Sequence, residues 1–455
     1  MTRHGLDEAL DRAAGARAIG GNAVRHIVDS RAALEEMLAL IRGARRSVHF
    51  ENYIIRGDAT GQRFAAALAE RARAGIPVRV LYDALGSRLV SRSLWREARR
   101  AGVEVRAFNP LLSAGPFDIT RRNHRKLLTV DGDVAMVGGV CIGDEWAGDP
   151  VNGRRPWRDT IVSVRGPAAT VLDGTFASVW ARTGAPLPPD ERSPTVPEAG
   201  ECRVRVIEGV PGESRIYRTM QLLVAIAAER LWVTDAYLVA PPPLFAGLAD
   251  AARGGVDVRL LLPGWSDAPV VRTLTRIGYR QLLGAGVRIY EWVGPMLHAK
   301  ATIVDRRWVR VGSTNLNVSS LIGNYELDVL VESAALADDL GAQFRRDVAQ
   351  SREVTLQAQA GRRQPRLVGT PVEEPGAPHQ RTGRERVVAA AVTLRQVAGG
   401  LRHALTAIAV LTLAGLGALL VVFPRAMSLV LAACAFWLAA GLTWYGLVRR
   451  RREGS

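Results

Sequence analysis

Lysine is almost missing from this chain. Of its 60 Lys and Arg residues 58 are Arg, and the two lysines are Lys126 and Lys300. Cysteine is as scarce: Cys141, Cys202 and Cys434 are odd in number, far apart and without C-x-x-C spacing. That argues against a disulfide framework or a zinc site and fits a reducing compartment. Residues 1–17 mix Arg, Asp and Glu with no apolar run, so no secretory signal is expected there. Acidic residues are outnumbered 44 to 60, for a formal net charge of +16, and a balance this basic points to nucleic acid or an anionic membrane surface as partner. Apolar residues are not lacking. At 48% of 455 residues they provide for about three units, each able to bury a core without a metal or disulfide staple.

The C-terminal end differs from the rest. Residues 404–423 and 426–448 carry no charge, and only Pro424 and Arg425 separate them. Each stretch is long enough to cross ~30 Å of hydrocarbon as a helix. The reading is a helical hairpin that either spans the bilayer or dips into one leaflet. Arg395 and Arg402 precede it and Arg449 to Arg452 follow, which places both ends and the main body on the cytoplasmic side. A basic stretch with helically spaced Val387, Val388, Leu394, Val397 and Leu401 leads into it as a surface-lying segment. Before that, 353–386 reads as a flexible linker, on the strength of Pro365, Pro371, Pro375 and Pro378.

Residues 23–185 and 200–352 repeat one another. ARAGIPVRVL at 72–81 returns as ARGGVDVRLL at 252–261, and RAGVEVR at 100–106 returns as GAGVRIY at 284–290. In each, a helical pattern ends at Gly and runs into a β-branched strand, a β-α-β rhythm. The reading is α/β: an N-terminal extension (1–22), two similar lobes joined by a Pro-rich linker (186–199), and the C-terminal hairpin.

Both lysines fall inside the strongest repeat. HRKLLTVD at 124–131 is followed by Gly138-Gly139, and HAKATIVD at 298–305 by Gly312-Ser313-Thr314-Asn315. One His-x-Lys on a strand would be unremarkable. Two copies with the same internal spacing, holding both lysines of the chain, mark a site. On an extended strand His124 and Lys126 share a face, as do His298 and Lys300, whereas Asp131 and Asp305 lie on the opposite face and read as anchors.

The duplicated H-x-K-x-x-x-x-D with its trailing glycines resembles the phospholipase D superfamily motif. FENYII at 50–55, LYDALGS at 81–87, WRDT at 157–160 and LLLPG at 260–264 narrow the resemblance to bacterial cardiolipin synthases, in a form without N-terminal membrane helices. The resemblance implies a duplicated sandwich with one active site between the lobes, and no metal or other cofactor. It implies that His124, Lys126, Asp131, His298, Lys300 and Asp305 form the catalytic set, one histidine as nucleophile and the other as acid/base. His124 is assigned the nucleophilic role, although the roles could be reversed. Ser313, Asn315, Asp159 and Glu326 are the expected phosphate-binding or orienting residues. By distance along the chain Glu326 is expected behind His298 and Asp159 behind His124. Cys141 stands where the family usually has Asn.

The implied reaction moves a phosphatidyl group between phosphatidylglycerol molecules through a phosphohistidine and releases glycerol. The implied partners are anionic phospholipids and the bacterial inner membrane, with no nucleic acid. The alternatives are a phospholipase D, a headgroup-exchanging transferase, a nuclease of the same superfamily and a non-catalytic membrane scaffold.

Overall fold

The structure, a computed structural model, describes residues 3–110, 121–149, 152–191, 196–359 and 362–368, together with Trp437. The expected membrane hairpin and its surface-lying leader otherwise lie outside the described residues. Among the described residues no helix is long and apolar enough to cross a membrane.

Among the described residues sixteen strands form one sheet. Lobe one contributes β1 (Ile19–Ile27), β2 (Val48–Asn52), β3 (Val78–Asp83), β4 (Glu104–Phe108), β5 (Lys126–Val130), β6 (Val134–Gly138) and β7 (Ile161–Arg165). Lobe two contributes β8 (Cys202–Gly209), β9 (Arg230–Thr234), β10 (Asp257–Pro263), β11 (Arg288–Trp292), β12 (Ala301–Val304), β13 (Trp308–Gly312) and β14 (Glu326–Glu332), then β15 (Ser351–Gln359) and β16 (Arg362–Val368). From the seam outward lobe one runs β1-β7-β6-β5-β2-β3-β4, and lobe two runs β8-β14-β13-β12-β9-β10-β11-β15-β16. The first seven positions correspond one to one, so the sequence repeat is a structural repeat. β1 and β8 pair antiparallel at the seam and make the two sheets continuous.

The local code for these elements is visible. The crossover helices Ala59–Arg73 and Pro242–Arg253 are each followed by a glycine in the left-handed region, Gly75 (φ 82°) and Gly255 (φ 86°), as the repeated A-R-x-G strings require. Asp58 caps the first of them by accepting the Gly61 N–H. The central strands β2, β5, β6 and β13 are buried at every position, as expected of strands covered on both faces. One core is common to the two lobes and lies under helices Pro167–Trp180 and Ala334–Ala349. Each lobe has its own core on the other face.

Two expectations need correction. The segment read as a flexible linker from 353 begins as the β15–β16 hairpin, with β15 antiparallel to β11. Its Pro365 is accommodated because β16 is the outermost strand, where a missing N–H costs no ladder bond. The N-terminal extension is also structured. Helix Arg3–Ala14 buries Leu10 and Ala14 in the core of lobe two, and its Asp7 and Asp11 hold the buried Arg205 at 3.0 and 2.8 Å. β1 starts at Ile19, four residues before the expected lobe boundary.

Candidate active site

Each H-x-K segment lies where the two lobes meet, at the entry to a central strand. Backbone pairing between the lobes sets its position. His124 N donates to Tyr325 O (2.9 Å) and Tyr325 N to Arg122 O (2.9 Å); His298 N donates to Arg158 O (2.7 Å) and Arg158 N to Met296 O (2.9 Å). The residue before each histidine is thus bridged to the residue before the other lobe's carboxylate. The side chains follow. His124 Nδ1 lies 2.9 Å from Glu326 Oε2, and His298 Nδ1 lies 2.7 Å from Asp159 Oδ2.

This reverses the pairing expected from distance along the chain. Glu326 backs His124, Asp159 backs His298, and each imidazole is held by the opposite lobe. Chain distance misleads here because the two copies meet face to face, which brings the start of each lobe's H-x-K unit to the segment that carries its partner's carboxylate.

The electrostatics are those of two neutral rings over two carboxylates. Burial first, then the Lys300 ammonium, pushes His298 down to about 4. Burial likewise lowers His124, against the pull of Glu326. Both rings sense the ammoniums of both lobes, so the two motifs share one electrostatic environment. Burial disfavours the Asp159 carboxylate, but the hydrogen bond from His298 and, in acid, the charge of the protonated ring outweigh it and hold the group at about 2. Glu326 is lowered by the same balance with His124. An ionised carboxylate only accepts, so each Nδ1 carries the proton and each Nε2 presents its lone pair.

The carboxylates are held in turn. Asp159 Oδ2 accepts from Trp146 Nε1 (3.0 Å) and Oδ1 from its neighbour's Thr160 N (2.8 Å). Glu326 Oε2 accepts from Ser313 Oγ (2.5 Å), which in turn accepts from Leu327 N (2.9 Å). Ser313 is therefore an orienting group. Its counterpart Gly139 packs directly on Asp159: a Cβ there would stand 2.0 Å from Oδ1. Gly139→Ala should displace Asp159 from His298 and cut activity by about 10²-fold, with Tm changed by only a few degrees. Activity and thermal unfolding measured on one preparation check this.

Lys126 Nζ donates to His124 O (2.6 Å), and Lys300 Nζ donates to His298 O. Both side chains are buried, and burial brings Lys300 down to about 8. Tyr53 packs edge-on to His124 (4.7 Å) with the Lys126 ammonium 5.2 Å from its ring centre. Tyr237 packs edge-on to His298 (6.0 Å) with Lys300 5.9 Å from its ring centre. Asn315 Oδ1 is buried with no hydrogen-bond partner among the described residues, and its Nδ2 makes only a long 3.5 Å bond to Ser320 Oγ. Cys141, its counterpart in lobe one, is fully buried, and burial raises its thiol.

Asp131 and Asp305, carried with the catalytic set, stand apart from it. Asp131 accepts the N–H groups of Arg45, Arg46 and Ser47 (2.7–3.0 Å), and Asp305 those of Ala228, Glu229 and Arg230 (2.8–3.3 Å). Both sit at the far end of β5 or β12 with positive φ, 57° and 53°. They fix the loop that enters β2 or β9, as the opposite-face argument expects, and are positioning residues. Asp131→Ala should cost about 1–3 kcal/mol of stability and leave activity per folded molecule unchanged, which denaturant unfolding beside an activity assay tests.

The sequence reading misses Glu51 and Asp83. Glu51 Oε1 accepts from Asn123 Nδ2 (2.6 Å) and Asp83 Oδ2 from Asn123 N (2.9 Å), which pins the residue before His124. Both lie in the strings that carry the family resemblance, but nothing in their spacing from His124 says that they converge on it. The described residues contain no cluster of three or more His, Cys, Asp or Glu arranged to hold a metal ion.

Two motif-bearing lobes, each histidine backed by its partner lobe's carboxylate and each accompanied by a buried lysine, define a phospholipase D-like class of protein. The sequence matches the family described as "Cardiolipin synthase, PLD-like domain" over residues 37–145 and 222–348. It is 34% identical to cardiolipin synthase A of Pseudomonas aeruginosa over 357 residues, 76% of this chain and 71% of that protein. It is 37% identical to a cardiolipin synthase of Geobacillus kaustophilus over 304 residues, covering 65% and 60% of the two chains. The crystal structure of phosphatidylserine synthase from Haemophilus influenzae shares the fold, with a TM-score of 0.62 over 77% of this chain and 92% of that one at 13% identity. The chain belongs to the cardiolipin synthase family of the phospholipase D superfamily and is an enzyme of the phosphatidyltransferase type.

Proposed function

We propose that the chain makes cardiolipin from two molecules of phosphatidylglycerol, at the cytoplasmic face of a bacterial membrane, through a phosphohistidine. The observation that carries this reading is the pair of imidazoles held at Nδ1 by cross-lobe carboxylates, which leaves two Nε2 atoms in one doubly cationic site. His124 Nε2 attacks the lipid phosphorus, and the bond from phosphorus to the headgroup glycerol oxygen breaks. His298 delivers a proton to that oxygen, so glycerol leaves as the neutral alcohol. The phosphatidyl group now sits on Nε2. His298, neutral again, takes the proton from a hydroxyl of a second phosphatidylglycerol as its oxygen attacks phosphorus, and the P–N bond breaks. The identical cross-lobe support leaves the reverse assignment, His298 as nucleophile, mechanically equivalent.

Burial and the lysines hold both free rings neutral, which suits the nucleophile and leaves the acid without its proton. The anionic phosphate supplies the remedy. Its charge offsets Lys126 and Lys300 and lifts the affinity of the second ring for a proton once substrate is bound. The two ammoniums and Asn315 Nδ2 then meet the charge that develops on the non-bridging oxygens. Thin-layer chromatography of the full chain in phosphatidylglycerol vesicles tests the reading. Cardiolipin and free glycerol should form in equal amounts; phosphatidic acid as the sole product would replace the transferase with a hydrolase.

A further inference from the structure

Among the described residues of the two lobes nine large apolar side chains are exposed, and eight of them lie on connections at one end of the sheet. They are Leu89 after β3; Trp265, Val270, Leu274 and Ile277 after β10; Val293 after β11; and Val318 and Ile322 after β13. The exception, Val171, is near the start of the helix that leaves the opposite end of β7. The end that carries the eight is the end that carries the site. Asn52 pairs with Lys126 at the exit of β2, Thr234 pairs with Ala301 beside Lys300, and β3, β10 and β11 run parallel to those exits.

Helix Pro269–Ile277 has the largest share of this surface. None of its nine residues is buried, and Val270 and Ile277 are 73% and 71% exposed. It follows the exit of β10, ahead of the helix that leads back toward β11. Arg276 and Tyr279 both bond Glu291, one residue short of the exit of β11, and helix Tyr279–Gly284, which buries Tyr279 and Leu282, begins only there. The loop ahead of it reaches the site itself, because Tyr237, whose ring edges His298, donates to Asp267 (2.6 Å).

We propose that this end of the molecule is a lipid-docking face. Trp265, Val270, Leu274, Ile277 and Leu89 enter the headgroup and upper acyl region of an anionic bilayer, and the site opens onto it. The occupant follows from charge. Segments 84–91, 264–280, 293–297 and 316–324 carry four arginines (Arg88, Arg272, Arg276, Arg280) and one acid, Asp267, which Tyr237 engages. An apolar stripe within a basic rim suits an anionic lipid surface. The 43 uncharged residues of 404–423 and 426–448 read in the sequence as a membrane segment on the same chain. The inference rests on the lipid reading above but adds the face through which lipid is reached.

Two measurements on the full chain test it. In the first, Val270→Asp, Leu274→Asp and Ile277→Asp are combined, with Val171→Asp as the control. The triple variant should lose about tenfold or more of its rate on phosphatidylglycerol in vesicles, keep its rate on short-chain phosphatidylglycerol dissolved as monomers, and differ from the control on vesicles alone. An unchanged vesicle rate overturns the proposal. In the second, bimane is attached at Leu274→Cys or at Val171→Cys, with Cys202 and Cys434 replaced by Ser. Nitroxide lipids in phosphatidylglycerol vesicles should quench the label at 274 and spare the one at 171. Protection at 274, as a second copy covering the face would give, overturns it. Quenching at 274 by a protein that makes no cardiolipin leaves the face standing and removes the proposed reaction.

Discussion

His124→Asn and His298→Asn should each lower cardiolipin formation on the order of 10⁴-fold or more, while thermal unfolding stays near that of the parent. Asn fills much of the imidazole volume and can still donate to Glu326 or Asp159, so the cross-lobe support survives and only the Nε2 chemistry is lost. The two losses should not add. A reaction that needs a nucleophile and an acid/base in one covalent cycle stops when either is missing, and the double variant should be about as inactive as each single one. Separate product and glycerol assays on the three variants check this. A single variant that keeps a tenth of the parent's activity would remove its histidine from the cycle.

Asp159→Asn and Glu326→Gln should each cost about 10²–10⁴-fold in rate, because the amide no longer fixes the Nδ1–H tautomer. The pairing makes the prediction specific. Asp159 favours the charged form of His298, which burial already holds to about 4, so removing Asp159 should drive that ring lower still. Glu326→Gln should lower the titration of His124 and leave His298 nearly where it was. Histidine-labelled NMR across the acid range reads both shifts. Under same-lobe support the assignments would exchange, with Glu326→Gln moving His298.

Much of this site is legible in the sequence for a physical reason. In a chain that writes its cations as Arg, two lysines at matching positions beside two histidines point to a requirement for a compact ammonium on a flexible stem. In the folded chain both ammoniums curl back to the carbonyl of the histidine two residues earlier. The strand period also separates Asp131 and Asp305 from their histidines, and both anchor backbone at the far end of their strands. Glu326 and Asp159 are recognisable as carboxylates behind imidazoles, but their partners are not, since that depends on the crossing of Asn123 with Tyr325 and of Arg158 with Leu297. No spacing within one lobe contains a contact made between lobes. Glu51 and Asp83 are hidden for a different reason: they converge on Asn123 within lobe one, from β2 and β3, through strand pairing that spacing along the chain does not contain. The β15–β16 hairpin is missed because its Pro and Gln content reads as a linker, and only the open edge of β11 makes it a sheet extension.

The central claim is the covalent step, and trapping the adduct tests it most directly. His298→Asn, which keeps the His124 nucleophile but lacks the acid/base, should be mixed with a short-chain phosphatidyl-p-nitrophenol, whose leaving group needs no proton, quenched in denaturant near neutral pH and digested for mass spectrometry. With His124 as nucleophile, the peptide holding it should carry one phosphatidyl group, and the same treatment of His124→Asn should leave the His298 peptide unmodified. The reverse pattern exchanges the two roles. No adduct on either histidine, from variants or from parent enzyme quenched during turnover, would contradict the phosphohistidine account.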